Sequence, residues 1–195
     1  MGDDARLAAL ARERLEGALE THRLLLEQAG AIARVGAVVA GVLRSGGKVL
    51  FCGNGGSAAD AQHLACELVG RFKMERAALP ALSLSSDPSV VTALANDYGY
   101  AEVFARQVAA HGRKGDALVG LSTSGRSPNV VRALEAAGAL GMVRIALVGK
   151  GGGPVAEAAD HVLRAPSGET PRIQECHILS GHILCEIAES LLYGG

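Results

Sequence analysis

The sequence predicts an α/β fold, a three-layer αβα sandwich in which a five-stranded parallel sheet lies between two layers of helices. Five short apolar runs alternate with helix-forming segments, and this alternation is typical of parallel strands joined by helices. With 195 residues, 49% of them hydrophobic, the chain is long enough for one well-buried domain and short for two. We therefore expect a single domain over 1–195, with helices over 1–47 and the αβα core over 48–195.

Two helices are predicted ahead of the first strand. The first covers 4–28 and carries a heptad-like seam, formed by Ala11, Leu15, Ala18, His22, Leu25 and Ala29. Since no strand precedes this helix, we expect it to pack on the flank of the sheet or against another subunit, with His22 half-buried. The second helix covers 31–43, and its Gly36 and Gly41 predict close packing against another helix.

The first strand, 49–52, leads into a glycine turn and then a helix. Its apolar residues are typical of a strand buried on both faces, and the turn 53–56 suits glycine because glycine adopts positive φ without penalty. Ser57 is the predicted N-cap of a helix over 58–72. On that helix His63 and Glu67 lie four residues apart, so they share one face. A helix N-terminus that favours anions thus lies near a titratable pair.

The remaining elements follow the same alternation of strand and helix. The turn over 96–100 contains Asn96 and Asp97, and the last helix carries Gln174, His177 and His182. Gln174 and His182 lie eight residues apart, so they can share one broad face of that helix. The predicted strands cover 78–84, 117–121, 143–148 and 161–164, and the helices cover 90–95, 102–110, 129–140, 154–159 and 171–192.

The third strand runs directly into a serine-rich loop, 122–128. This loop offers four hydroxyl groups at the N-terminus of a helix that Pro128 or Asn129 opens, an arrangement that favours a phosphate. The loop does not end in the G-K-[ST] sequence of nucleotide P-loops, so a phosphomonoester fits better than a nucleotide. An ordinary serine-rich capping loop is the alternative.

Composition argues against several classes of ligand. A net charge of −1, no basic block and only six aromatic residues give no footprint for nucleic acid. The four cysteines form no C-x-x-C pair, so we expect buried free thiols in a reducing cytosol. The longest apolar stretch near the N-terminus, 35–43, is too short to span a bilayer. We therefore expect a soluble cytoplasmic protein without a membrane partner.

A dinucleotide-binding fingerprint is formally present at the first loop. Gly53 and Gly55 have the required spacing, with Ala58 in the third position. The acidic residue expected about twenty residues further on would be Asp87, which lies about thirty residues further on instead. An oxidoreductase reading would also leave the serine-rich loop unexplained.

Three motifs together resemble a known family. Cys52-Gly-Asn-Gly-Gly-Ser57, Ser122-Thr-Ser-Gly125 and Arg172-Ile-Gln-Glu-x-His177 resemble the sugar isomerase (SIS) family and, within it, the phosphoheptose isomerases. The resemblance implies a flavodoxin-like sheet and a homotetramer with active sites near subunit interfaces. It also implies conversion of sedoheptulose 7-phosphate to D-glycero-D-manno-heptose 7-phosphate, through a cis-enediol, in ADP-heptose biosynthesis. Pro171 departs from members that carry an acidic residue before the arginine.

The resemblance also implies roles for individual residues. Glu67 and His182 would be the catalytic acid/base pair, and one Zn²⁺ per subunit would be held by His63, Glu67, Gln174 and His182. Whether Glu67 acts as base, as ligand or as both stays open. A non-catalytic SIS relative that associates with the replication initiator DnaA is the alternative, although it lacks the Glu/His pair. The implied substrate-binding residues are Asn54, Gly55, Gly56, Ser57, Asn96, Asp97, Ser122, Thr123, Ser124, Ser127 and Gln174.

Overall fold

Five buried, parallel strands form the centre of the molecule in a computed structural model that describes residues 3–194. Their spatial order is β2-β1-β3-β4-β5, so the chain reverses its direction of winding between β1 and β3. The predicted five-stranded parallel sheet is confirmed. The strands are β1 Val49–Gly53, β2 Ala81–Ser83, β3 Ala117–Ser122, β4 Val143–Gly149 and β5 His161–Ala165.

Helices cover both faces of the sheet, which confirms the three-layer architecture. One apolar core lies between the sheet and α2, α3 and α8, and the other lies between the sheet and α5, α6 and α7. The helices are α1 Asp3–Leu25, α2 Ala29–Arg44, α3 Gly56–Val69, α4 Pro88–Tyr98, α5 Val103–His111, α6 Pro128–Ala139, α7 Gly153–Glu157 and α8 Thr170–Tyr193, with 3₁₀ turns at Leu26–Gln28 and Tyr100–Glu102.

The predicted boundaries are wrong at two places around β2. The helix expected over 58–72 ends at Val69, and the strand expected over 78–84 is reduced to Ala81–Ser83. The amide of Leu79 donates to the carbonyl of Leu68 at 3.1 Å, so residue 79 is bonded to the end of α3 instead of pairing with β1. A tertiary hydrogen bond thus replaces part of the expected strand.

The predicted turn over 96–100 is also wrong, because α4 runs through it to Tyr98. The Asp87 carboxylate accepts a hydrogen bond from the Val90 amide at 3.1 Å, and Pro88 follows as the first helical residue. The helix therefore starts earlier than predicted, and it also extends further. It ends at Gly99, which has a φ of +86°.

Ser57 is not the N-cap of α3. The cap position is occupied by Gly55, and Ser57 lies within the first helical turn with only 3% of its surface exposed. Cys66 is likewise not buried as predicted but exposed on α3, whereas the other three cysteines are buried; all four are free thiols.

The two N-terminal helices differ in burial. α2 packs into the core, and a Cβ atom on Gly36 would overlap Ile187 of α8, as its predicted packing role requires, whereas Gly41 faces open space. The seam on α1 passes from exposed at Ala11 and Leu15 to buried at Leu25, and His22 is half-buried as predicted. The stretch Asp3–Arg44 is long and apolar enough to cross a membrane, with 39% of its most apolar window buried. Core helices such as α2 pass the same test, so this is weak evidence for a span.

Candidate functional site

Two loops meet at the carboxyl edge of the sheet, where β1 and β3 lie side by side. The loop after β1 leads into α3, and the loop after β3 leads into α6. In open parallel sheets this point of reversal is where the connecting loops diverge and leave a crevice for a ligand. The sequence prediction that both junctions contribute to one site is therefore consistent with the sheet order.

Two glycines shape the first loop. Gly55 has a φ of +55°, and a Cβ atom on Gly56 would overlap the carboxamide of Gln174. The side chain of Gln174 therefore reaches from α8 across to the first turn of α3. Because of this contact the structure brings Gln174, a predicted ligand or substrate contact, to the first loop.

Asn54 joins the two loops through a hydrogen-bond network. Its Oδ1 accepts from Asn129 Nδ2 at 2.8 Å and from the Tyr100 hydroxyl at 2.9 Å, while its Nδ2 donates to Asn129 Oδ1 at 2.9 Å. Asn129 is 2% exposed, at the start of α6. These contacts fix the loop after β1 relative to the loop after β3. Asn129 and Tyr100 were not among the predicted site residues.

The serine-rich loop is folded back on itself at the start of α6. The hydroxyls of Ser122 and Ser127 lie 2.9 Å apart, and Ser124 Oγ accepts from the amide of Arg126 at 3.2 Å. Ser122 is buried, Thr123 and Ser127 are half-buried and Ser124 is exposed. Hydroxyl groups are thus clustered at a helix N-terminus, which attracts anions.

Three titratable side chains converge between α3 and α8. His63 Nε2 lies 3.2 Å from Glu67 Oε1 and 2.9 Å from His182 Nε2, and the facing atoms of the three residues lie within 4.8 Å of one another. His63 and Glu67 share one face of α3 as predicted, and α8 brings His182 against them. Residues 119 positions apart in the sequence thereby form one cluster.

The cluster favours a neutral His182. Burial lowers the pKa of His182, the positive charge of a protonated His63 lowers it further, and Glu67 partly raises it. A neutral imidazole can accept a proton or ligate a metal.

The donor set also fits zinc. Two ligands about 2.0–2.2 Å from a tetrahedral zinc ion are roughly 3.3 Å apart, close to the observed spacings of 2.9 and 3.2 Å. Two histidine nitrogens and a carboxylate oxygen are ligands that zinc commonly takes. His63, Glu67 and His182 therefore form a suitable three-ligand group.

Two predicted substrate contacts lie on α4 rather than in a loop. Asn96 and Asp97 are exposed in its last turn, and Asn96 Nδ2 donates to Asp97 Oδ1 at 2.9 Å. Within residues 3–194, the side chains of Asn96 and Asp97 hydrogen-bond only to each other. Pro171, the departure from the family pattern, is exposed in the first turn of α8.

His177 is buried and is not part of this cluster. Its burial predicts that the stability of the fold depends on pH. It is 2% exposed, and neither ring nitrogen has a hydrogen-bond partner within the described chain. Burial lowers its pKa from 6.5 to about 4, an effect that the nearby Val148 backbone partly offsets. From pH 6.5 down to about 4, the unfolded chain binds a proton that the folded chain excludes. The free energy of unfolding should thus decrease as the pH is lowered through this range, by up to roughly 3 kcal/mol.

Urea unfolding at a series of pH values measures this effect. His177→Leu, which leaves no ring nitrogen unpaired, should flatten the dependence between pH 6.5 and 4. His111→Gln, at an exposed position, serves as the control and should keep it. An unchanged slope in His177→Leu would contradict the assignment.

Comparison with known proteins identifies the family. The SIS domain family matches residues 16–149. The chain is 57% identical to the phosphoheptose isomerase of Rhodospirillum rubrum over 84% of this chain and 87% of that protein. It is 51% identical to the one from Aquifex aeolicus over 93% of each chain.

Solved structures agree with these relatives. Phosphoheptose isomerase GmhA from Neisseria gonorrhoeae superposes with a TM-score of 0.89 at 40% identity, over 94% of this chain and 99% of that one. A phosphoheptose isomerase from Francisella tularensis gives a TM-score of 0.87 at 39% identity, over 97% of this chain and all of that one. The chain belongs to the SIS domain family and, within it, to the phosphoheptose isomerases.

Proposed function

We propose that this chain is an aldose–ketose isomerase that converts sedoheptulose 7-phosphate to D-glycero-D-manno-heptose 7-phosphate for ADP-heptose biosynthesis. The observation that carries this proposal is the cluster of His63, Glu67 and His182, formed between α8 and the helix that follows the first loop, in a chain of this family. Its relatives at about 50% identity are named phosphoheptose isomerases, so a regulator that associates with DnaA is not favoured. A dinucleotide-dependent oxidoreductase is set aside for the same reason.

Glu67 and His182 supply the proton transfers in this proposal. Moving a carbonyl group between C1 and C2 requires a base that removes a proton from one carbon and returns it to the other through a cis-enediol. Glu67, 19% exposed in its side chain, is the base, and His182 exchanges protons with the sugar oxygens. Their closeness to each other allows both to reach adjacent atoms of one substrate.

The phosphate of the substrate binds at the serine-rich loop. Ser122, Thr123, Ser124 and Ser127 supply hydroxyls, and the N-terminus of α6 supplies a favourable field. Ser57 and the backbone of Gly55 and Gly56 extend this grip from the first loop, and Asn54, Asn96, Asp97 and Gln174 contact the sugar. The Asn54–Asn129 contact keeps the two loops at a fixed separation.

One zinc ion per subunit completes the proposed site. His63, Glu67 and His182 would hold it, and the amide oxygen of Gln174, whose side chain reaches the first turn of α3, would be the fourth ligand. Bound there, zinc supplies Lewis-acid stabilisation of negative charge on the sugar oxygens. A carboxylate bound to metal is a weaker base, so with zinc bound Glu67 would serve as ligand, as base or as both.

The purified protein should convert sedoheptulose 7-phosphate to the aldose phosphate, and sedoheptulose without phosphate should react far more slowly. The missing phosphate removes the charge-assisted hydrogen bonds of the serine-rich loop, each worth about 1.5–3 kcal/mol. Product formation measured by chromatography with zinc supplied tests both statements. A wild type that forms no aldose phosphate contradicts the proposal, and equal rates with and without phosphate contradict the role of the loop.

We also propose that the protein is a homotetramer with active sites near its subunit interfaces. The leucines of α1 support this: Leu7, Leu10, Leu15 and Leu19 are 47–72% exposed. A separate apolar groove of about 210 Å³ lies where the end of α1, the start of α2 and α8 meet, lined by residues that include His22, Leu26 and Ile187. Burial of such surface between subunits is the favourable term in association.

Light scattering at micromolar concentration should give about 80 kDa, four times the 19.9 kDa of one chain. Leu15→Glu together with Leu19→Glu should reduce this mass, because charges would enter the interface. Arg23→Glu, exposed on the same helix, serves as the control for added negative charge and should leave the tetramer intact. A wild type with the mass of one chain would contradict the proposal.

The site also leads us to propose a single SIS domain over 1–195 that works in the cytoplasm. Its four free cysteines are compatible with a reducing compartment, and its substrate is a sugar phosphate. Neither a nucleic acid nor a membrane partner is part of the proposal.

A further inference from the structure

A fully buried ion pair lies behind the cluster of His63, Glu67 and His182. Arg76 Nε lies 2.8 Å from Glu189 Oε1, and the two side chains are 0% and 2% exposed. Burying two charges is costly unless their remaining hydrogen-bonding groups are also satisfied. The remaining groups of Arg76 and Glu189 are satisfied by backbone amides and carbonyls. These partners show which parts of the chain the ion pair joins.

Glu189 binds the irregular segment that follows α3. Its two carboxylate oxygens accept from the amides of Phe72, Lys73 and Met74 at 2.8, 2.8 and 3.1 Å. Three successive amides that converge on one carboxylate fix the path of the backbone. The segment from 70 to 80 therefore has a defined conformation although none of it is helix or strand.

Arg76 binds the end of α3 itself. Its Nη1 donates to the carbonyls of Leu68, Gly70 and Ala77 at 2.8, 3.3 and 3.0 Å, and its Nη2 donates to the carbonyl of Glu67 at 2.8 Å. The last carbonyls of a helix lack partners inside the helix, and a cation there also complements the helix dipole. Arg76 thus holds the turn of α3 from which the Glu67 side chain projects.

The same segment places an aromatic ring against His182. The rings of Phe72 and His182 are stacked, with centroids 5.4 Å apart and an interplanar angle of 25°. Phe72 carries one of the amides that Glu189 binds, and Glu189 lies on α8 two turns after His182. One carboxylate therefore connects the helix that carries His182 to the ring that packs on His182.

We propose that the Arg76–Glu189 pair and Phe72 are positioning residues for the proposed isomerisation, Arg76 for Glu67 and Phe72 for His182. The pair ties the end of α3 to α8, so the two proton-transfer groups keep a fixed separation although they come from different helices. This inference rests on the proposed function for its kinetic consequence, while its geometric content is independent of any activity.

Three variants test the kinetic consequence. Phe72→Leu leaves the ion pair intact, Arg76→Lys keeps the charge but cannot reach all the carbonyls, and Glu189→Gln keeps the shape without the charge. Each should lower kcat for sedoheptulose 7-phosphate about tenfold or more with KM changed less than about twofold, because misplaced catalytic groups slow the reaction without weakening the grip on phosphate.

Matched controls separate positioning from lost stability. Asp116→Asn disrupts another largely buried pair, with Lys48, at the opposite edge of the sheet, and Phe104→Leu shortens a buried phenylalanine on the other face. Both should lower the unfolding midpoint and leave kcat per folded protein within about twofold of wild type. If the three test variants are also merely less stable, with kcat unchanged, the positioning role is wrong.

Proton NMR of the His182 ring tests the geometry without an assay. The stacked Phe72 ring should shift the His182 ring protons upfield, and His182→Ala assigns them. In Phe72→Leu the shift should disappear, and in Glu189→Gln it should decrease as Phe72 is released; an unchanged shift in both overturns the inference. If Glu189→Gln does not fold, Arg76→Lys replaces it. An inactive wild type would contradict the proposed function alone, because the NMR shift tests the Phe72–His182 geometry whether or not the enzyme turns over.

Discussion

Replacing Glu67 by Gln, or His182 by Ala, should lower kcat at least about 10²-fold, the contribution of a positioned general acid or base. Glutamine retains the shape of Glu67 but cannot accept the proton from carbon. Alanine removes the imidazole that lies 2.9 Å from His63 and that we propose exchanges protons with the sugar oxygens. Steady-state kinetics with zinc supplied measure the loss.

Zinc content must be measured with the rate, because both residues are also proposed ligands. A variant that loses zinc and activity together reports ligation, whereas a variant that keeps zinc and loses activity reports proton transfer. Cys66→Ser, an exposed neighbour of Glu67 on α3, is the matched control and should keep both zinc and kcat. Wild-type turnover in both Glu67→Gln and His182→Ala would contradict the assignment of this pair.

The sheet could be predicted from the sequence because its signals are local. Four consecutive apolar residues mark β1 and β4, and glycine or serine loops mark the ends of β1 and β3. β2 was overestimated because residue 79 bonds to Leu68, a partner eleven residues away that no local pattern reveals. α4 was underestimated because the capping role of Asp87 was not recognised and Asn96 and Asp97 were taken for turn residues.

The site could be predicted only in part, for the same reason. His63 and Glu67 are visible as a pair four residues apart on one helix, and the hydroxyls of the serine-rich loop are contiguous. Phe72 and Arg76 carry no such signal, since their partners are more than 100 residues away on α8. Asn129 was taken as a helix opener, and its contact with Asn54 depends on the order of the strands.

Gly125→Ala should both destabilise the protein and weaken phosphate binding. Gly125 has a φ of +66°, and an added Cβ atom would overlap the carbonyl of Gly152. Its own carbonyl accepts from the Val155 amide at 3.0 Å, and its amide donates to Ser122 at 3.1 Å. The conformation alone costs an alanine about 1–3 kcal/mol, and relief of the overlap must also displace the serine-rich loop from the loop over 149–153.

Gly115→Ala separates these two effects. Gly115 has a φ of +91°, but an added Cβ atom meets nothing within 4 Å, and the residue lies before β3 at the edge of the sheet opposite the site. Gly115→Ala should lower the free energy of unfolding by only about 1–3 kcal/mol and leave KM unchanged. Gly125→Ala should lower the free energy of unfolding by more. It should also raise KM for the sugar phosphate about tenfold or more, since each charge-assisted hydrogen bond is worth about 1.5–3 kcal/mol. Urea unfolding and steady-state kinetics of the two variants make the comparison. Equal losses of stability would show that the overlap with Gly152 is relieved without strain, and an unchanged KM in Gly125→Ala would show that the loop does not hold the phosphate.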